Sequence, residues 1–303
     1  MHKLAIVSRQ QQAYERLLAA TPLPLLEITN DPKQATIILA DPPEIAAYLD
    51  DYPQLKWLQS TFAGIDALTK PQLRQDYHLT NVRGCFGPLI AEYVFGQWLS
   101  HSRHFPLYSK QQQQHQWHPL PYQSIAGKTL VIIGTGSIGQ HLAQVAKAFH
   151  CQVIGVNRHG NSPCELFDRI YATAQLSQAL EQADVIVSVV PATSDTTDLF
   201  NHQTFSHCHQ ALLFNVGRGN AVNIADLYQA LDRDQIHHAY LDVFKTEPLE
   251  QNSKLWDHPQ ISITPHIAAE SFPAQVIEIF KLNYIKWLNN QTLNYQIDFS
   301  KGY

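Results

Sequence analysis

The chain has 303 residues, 45% of them hydrophobic, and a formal charge of -5. That length supports a large core and about two domains, and the lack of any basic block argues against nucleic acid or an anionic membrane as a partner. No apolar run reaches membrane-span length and MHKLAIVSRQ lacks a signal-peptide core; the four cysteines form no C-x-x-C pair, which suits reduced thiols and a cytoplasmic protein.

Short apolar runs alternate with helical patterns over the first hundred residues. Strands are expected at 4–7, 25–28, 37–40, 55–59 and 79–82, with helices at 14–20 and 44–49. Pro88 opens a long helical pattern (Ile90, Tyr93, Val94, Trp98) that fades around His101–Phe105. Residues 109–123 are polar, contain proline and include the run Gln111–Gln114. They read as a surface arm or linker, serving either as an oligomer contact or as a mobile loop.

A second β–α series begins at Thr129, with six strands expected at 129–133, 152–156, 184–190, 211–216, 238–243 and 261–264. After Pro273 an amphipathic stretch (Val276, Ile277, Phe280, Tyr284, Trp287, Leu288) is long enough to return the chain to the first lobe. The expectation is an α/β protein with two doubly wound parallel-sheet lobes. Residues 1–100 plus 270–303 would form a discontinuous substrate-binding domain, and residues 101–269 a dinucleotide-binding domain.

The stretch LVIIGTGSIG, Leu130–Gly139, carries the first chemical signal. A strand runs into Gly134, Gly136 and Gly139, spaced G-x-G-x-x-G, and an apolar helical series follows. Such a turn lets backbone approach a pyrophosphate, which then meets the helix N-terminus. Gly134, Thr135, Gly136, Ser137, Ile138 and Gly139 are the expected cofactor contacts.

The next strand ends at Asn157-Arg158, where an NAD-binding turn would carry a carboxylate. A carboxylate repels a 2′-phosphate, whereas the Arg158 fork can bind one and Asn157 can donate a hydrogen bond. This predicts NADP(H) as the preferred cofactor and NAD(H) as the lesser one. The bland alternative for Arg158 is an exposed strand-end cation. Pro191, Val216 and Asp242 follow later strand ends and should face the same crevice. Asp242 is either a contact for a nicotinamide amide or a strand-end cap.

Three polar residues stand after strand ends: Arg218 in NVGRG, Glu247 in DVFKTEPL and His266 in TPHIAA. Taken singly, each is an ordinary loop residue. The His-rich segment 202–209 around Cys208 lacks further ligands at zinc spacing, so no metal site is expected.

Together, GKTLVIIGTGSIG, VVPATSDT, LFNVGRGNAV, YLDVFKTEPL and ISITPHIAA, with STFAGID in the first lobe, resemble the D-isomer-specific 2-hydroxyacid dehydrogenases. The likeness looks nearest to the shorter glyoxylate/hydroxypyruvate (2-ketoacid) reductases. It implies a flavodoxin-like substrate lobe, a Rossmann cofactor lobe and a cleft between them. It also implies NADPH-dependent, reversible reduction of small 2-keto acids to D-2-hydroxy acids. His266 would be the acid/base, with Glu247 pairing with it and raising its pKa. Arg218 would bind the keto acid, and the Ala63 and Gly64 N–H groups its carboxylate. A homodimer is implied as well.

The sequence departs from the family at Asn157-Arg158 and in GNAVNIADL, where an Asp-Glu pair is common near Asn223-Ile224 and caps a helix. Two other functions remain open. One is a non-catalytic, dinucleotide-sensing, corepressor-like interaction protein. The other is an NAD-dependent dehydrogenase of another acid on the same scaffold. Glu247, where formate enzymes carry glutamine, argues against formate.

Overall fold

The computed structural model describes residues 1–162 and 164–300. The chain divides into two compact units: Met1–Cys85 joined by the chain from Ser271 onward, and Phe86–Glu270. Residues 301–303, included above in the first lobe, lie outside the described residues.

In the first unit β1 (His2–Val7) leads to α1 (Gln11–Ala20), β2 (Leu26–Ile28), β3 (Ile37–Ala40), α2 (Pro42–Ile45), β4 (Trp57–Ser60) and β5 (His78–Thr80). All pairings are parallel, in the order β2-β1-β3-β4-β5. That is the doubly wound order of flavodoxin-like sheets. The central strand β3 is IILA and fully buried, as a strand covered on both faces should be. The C-terminal helix, Pro273–Leu288, closes this unit. Trp57 stacks on Phe280 at 5.2 Å and on Trp287 at 5.7 Å, and its indole N–H donates to Thr80 Oγ1 at 2.9 Å. Each such aromatic pair adds about 0.5–1.5 kcal/mol beyond area burial. Beside this stack the Asn283 amide donates to Gln59 Oε1 at 3.1 Å, so the buried polar groups of the helix and sheet satisfy one another.

The second unit opens with α3 (Phe86–Ser102) and α4 (Phe105–Gln113). Then come β6 (Thr129–Ile133), α5 (Ser137–Ala148), β7 (Gln152–Asn157), β8 (Arg169–Ala172), α6 (Leu176–Leu180), β9 (Val185–Ser188) and α7 (His202–Phe205). β10 (Ala211–Asn215), α8 (Ile224–Asp232), β11 (Ile236–Leu241) and β12 (Ile261–Ile263) complete it. The sheet is parallel throughout, in the order β12-β11-β10-β9-β6-β7-β8. This is the dinucleotide-binding order with one strand added at the β12 edge.

Three expectations need correction. Among the described residues the sheet has seven strands rather than six, β8 being the addition. Its sequence RIYA is short and only partly buried, so it lacks the apolar run of an inner strand. The boundary between units falls after Cys85, not after residue 100, because Ile90, Val94 and Trp98 of α3 share a core with Leu130 and Leu142. Residues 109–113, read as linker, are the end of α4. The stretch after it is pinned back on α4. The Leu120 N–H donates to the Tyr108 hydroxyl at 2.8 Å, and Arg103 lies 4.1 Å over the Tyr122 ring. Among the described residues no helix is long and apolar enough to cross a membrane, and no group of three His, Cys, Asp or Glu could hold a metal ion.

Candidate active site

The glycine turn sits where β6 meets α5. Gly134 has φ +108°, and a Cβ on Gly139 would lie 2.0 Å from the Gly134 carbonyl oxygen, so the strand and helix meet this closely only without side chains. A Cβ on Gly136 would meet nothing within 4 Å, which leaves that face open. Gly136 precedes α5 with no side-chain cap, and the first intrahelical bond runs from the Gln140 N–H to the Gly136 carbonyl at 2.9 Å. The N–H groups of Ser137, Ile138 and Gly139 therefore have no acceptor in the helix. An open backbone face bordered by free donors at a helix N-terminus fits the pyrophosphate of a dinucleotide.

The end of β7 differs from its expected role. The Asn157 amide donates to Thr135 Oγ1 at 2.7 Å and to the Asn161 carbonyl at 2.6 Å, while its oxygen accepts the His159 and Gly160 N–H groups. Asn157 thus spends its hydrogen bonds tying the 157–161 loop to the glycine turn. Arg158 instead reaches Asp195, with Nη2 3.0 Å from Oδ2. Asp195 lies in the tight turn after Pro191. There Thr196 Oγ1 donates to the Pro191 carbonyl at 2.6 Å and accepts the Thr193 N–H at 2.9 Å. The Asp198 N–H donates to the Asn220 carbonyl at 2.8 Å, and Asn220 Nδ2 donates to Thr197 Oγ1 at 2.9 Å. The turn is thereby laced to the loop bearing Arg218. Val216 follows β10, its N–H bonded to the Ser188 carbonyl at 3.1 Å, so Pro191 and Val216 stand at neighbouring carboxyl ends of the sheet.

His266 and Glu247 meet. His266 Nδ1 lies 2.8 Å from Glu247 Oε2, and Glu247 Oε1 accepts the Phe244 N–H at 2.9 Å. A carboxylate only accepts, so Nδ1 carries the proton and Nε2 is the atom left for chemistry. The His266 side chain is 49% exposed, accessible to a ligand. Its loop rests on Asp242, a buried carboxylate that accepts the Thr264 hydroxyl at 2.6 Å and the Ile267 and Ala268 N–H groups at 2.8 and 3.0 Å. The Thr264 hydroxyl is spent on Asp242, so the Tyr93 hydroxyl, 2.7 Å away, must be the donor to Thr264. Burial, the largest influence on Tyr93, raises its pKa.

Arg218 follows β10, and its Nη1 donates to the Gly217 carbonyl at 2.8 Å. A Cβ on Gly219 would fall 1.9 Å from the Phe244 carbonyl carbon, so the loops carrying Arg218 and Glu247 touch directly. Asn223 caps α8, its side chain accepting the Asp226 N–H at 3.2 Å, which replaces the acidic cap common at that point.

In the first unit, Ala63 and Gly64 lie in the turn after β4. The Asn81 amide donates to the Ala63 carbonyl at 2.8 Å, and the Ser60 hydroxyl accepts the Phe62 N–H at 3.0 Å. Among the described residues no acceptor takes the Ala63 or Gly64 N–H. Arg83 donates to Asn81 Oδ1 at 3.0 Å, which brings a guanidinium beside this turn.

Sequence reasoning missed Tyr93, Thr264, Asp195 and Arg83. Tyr93 and Thr264 are 171 residues apart, and nothing local marks either as a partner. Asp195 and Thr264 stood inside the quoted motifs VVPATSDT and ISITPHIAA, which was the only available signal.

Residues 95–268 match the family model for the D-isomer specific 2-hydroxyacid dehydrogenase, NAD binding domain. A glyoxylate/hydroxypyruvate reductase A from Serratia proteamaculans is 34% identical over 71% of this chain and 68% of its own. A crystal structure of a D-isomer specific 2-hydroxyacid dehydrogenase family protein from Aeromonas salmonicida is 47% identical, with TM-score 0.94 over 98% of this chain and 99% of that one. An NADPH-dependent glyoxylate/hydroxypyruvate reductase from Sinorhizobium meliloti, solved with NADP and sulfate, is 26% identical with TM-score 0.89 over 100% of both chains. The chain belongs to the D-isomer specific 2-hydroxyacid dehydrogenase family. Its two parallel α/β sheets are those of that family's two-domain fold.

Proposed function

We propose that this protein reduces small 2-keto acids to D-2-hydroxy acids, reversibly, with NADPH preferred over NADH. The observation that carries the proposal is the His266–Glu247 pair, with Glu247 itself held by the Phe244 N–H. A bound reduced nicotinamide supplies the hydride. His266 gives the proton from Nε2 to the developing alkoxide oxygen, and in the reverse direction takes it back. Glu247 keeps the ring oriented by accepting the Nδ1 proton. Arg218 pairs with the substrate carboxylate and stabilises charge growing on the keto oxygen. The unbonded Ala63 and Gly64 N–H groups suit a carboxylate. Gly134 to Gly139 cradle the pyrophosphate, Pro191 and Val216 border the dinucleotide, and Arg158 takes the 2′-phosphate. Among the described residues Asp242 Oδ2 accepts only the Ala268 N–H, which leaves it a lone pair for a carboxamide.

The NADPH-dependent reductase from Sinorhizobium meliloti supports this cofactor choice, and the reductase from Serratia proteamaculans the substrate class. The proposal includes a cytoplasmic homodimer. The arm presents Phe105, Leu107, Trp117 and Tyr122 to solvent, with Trp117 97% exposed, and a second copy would cover them. The activity is tested with a panel from glyoxylate and hydroxypyruvate to phenylpyruvate, using both NADPH and NADH. Turnover is expected, with the higher kcat/KM for NADPH. Dinucleotide binding without turnover of any keto acid would favour the corepressor-like reading.

A further inference from the structure

Arg158 is held by a carboxylate on a built turn. Asp195 Oδ2 lies 3.0 Å from Arg158 Nη2, with the side chains 54% and 67% exposed on the arginine and aspartate respectively. The turn is not a loose surface loop. Thr196 Oγ1 bonds both the Pro191 carbonyl and the Thr193 N–H, and the Thr197 hydroxyl donates to the Thr193 carbonyl at 2.9 Å. Arg158 is equally constrained, because Asn157 fixes the loop at its base through Thr135 and Asn161. Two opposite charges are therefore positioned from separate strand ends, 37 residues apart in sequence.

An exposed ion pair of this kind is weak because solvent screens it, so a dianion can displace it. The carboxylate does not leave with its pairing. It stays anchored beside the guanidinium, where it repels a phosphate and can accept a hydrogen bond from a ribose hydroxyl. We propose that Asp195 is a specificity-determining residue of the cofactor site. It competes with the 2′-phosphate for Arg158, limits the preference for NADP(H), and so preserves use of NAD(H). This rests on the reading of Arg158 as the 2′-phosphate ligand.

Adenosine 2′,5′-bisphosphate and 5′-AMP isolate the relevant end of the cofactor, and their affinities for the full chain are measured by calorimetry. Asp195→Asn should tighten adenosine 2′,5′-bisphosphate by about threefold to tenfold, change 5′-AMP by less than about twofold, and lose this advantage at high salt. Asp195→Ser should do the same, which separates loss of charge from any effect of asparagine on the turn. Arg158→Gln should weaken the bisphosphate and leave 5′-AMP nearly unchanged. If Arg158→Gln leaves bisphosphate binding intact, the reading of Arg158 falls and the role of Asp195 falls with it. If Arg158→Gln weakens the bisphosphate but neither Asp195 variant tightens it, Arg158 keeps its role and the proposal for Asp195 is overturned.

Discussion

His266 is fastened to Asp242 through both backbone and side chain. The His266 N–H donates to the Asp242 carbonyl oxygen at 2.9 Å, and the next two residues donate to the Asp242 carboxylate at 2.8 and 3.0 Å. The imidazole is therefore positioned by a buried anion that it does not itself touch through its ring. Asp242→Asn places an NH2 among N–H and O–H donors, and an unsatisfied buried group costs about 1–3 kcal/mol. We expect a stability loss of that size in denaturant titrations, together with a fall in kcat. Tyr93→Phe removes only one donor to Thr264 and should cost about 1 kcal/mol with a smaller loss of kcat. Unchanged stability and kcat in Asp242→Asn would refute the anchoring role.

His266→Ala removes the proposed proton donor while leaving the glycine turn intact. Steady-state keto-acid reduction should fall by about a hundred- to ten-thousandfold, the usual worth of general acid–base catalysis. NADPH affinity, read by fluorescence titration, should stay within a few-fold. Glu247→Gln keeps the size of the side chain but presents an amide to Nδ1, and should cost at least about tenfold in kcat through ring orientation and tautomer. Wild-type turnover in His266→Ala is incompatible with the assignment.

Acid should weaken the second unit through His238 and His101. Burial, reinforced by His101, His237 and His258, pushes the His238 ring down to about 4, and burial lowers His101 as well, helped by His237 and His104. In the unfolded chain such rings titrate near 6.5. Between about pH 6.5 and 4 the unfolded state thus holds more protons, and stability falls as pH falls. Allowing for solvent screening of these partly exposed rings, about 1–2 kcal/mol should be lost by pH 4.5. His238→Asn retains a partner for the Ser262 hydroxyl, which lies 2.9 Å from His238 Nε2, and should flatten the limb. Denaturant midpoints at pH 7, 6, 5 and 4.5 make the comparison, and an unaltered slope in the variant would exclude His238 as a source.

The arm makes a separate prediction about assembly. Wild-type protein should sediment as a dimer. Replacing exposed Leu107 and Trp117 together with serine should shift it to monomer without unfolding it, since neither side chain is buried in the isolated chain. A wild-type monomer at micromolar concentration would remove the arm from consideration as an interface.

Much of the fold could be read because inner parallel strands are continuous apolar runs, as in IILA and TLVII, and because the glycines punctuate a strand–helix junction. The edge strand Arg169–Ala172 and the glutamine-rich end of α4 carry no such run, so neither is legible in the sequence. In the candidate site, His266 and Glu247 were paired through family resemblance, and the structure brings them together. By its chemistry Asn157 can donate a hydrogen bond to the cofactor beside Arg158, but its hydrogen bonds are satisfied by Thr135, Asn161, His159 and Gly160. Composition at a strand end tells which bonds a residue can make; only the surrounding backbone tells which remain to be made.

The link through Asn220 has an engineering consequence. It joins the Asp195 turn to the segment bearing Arg218, through the Asp198 N–H on one side and the Thr197 hydroxyl on the other. With the roles proposed for Arg158 and Arg218, cofactor choice and substrate choice would not be modular in this chain. A graft of residues 192–198 from an NADH-using scaffold moves the anchorage of Arg218 with it, so variants selected for one nucleotide should be rescreened across the whole keto-acid panel.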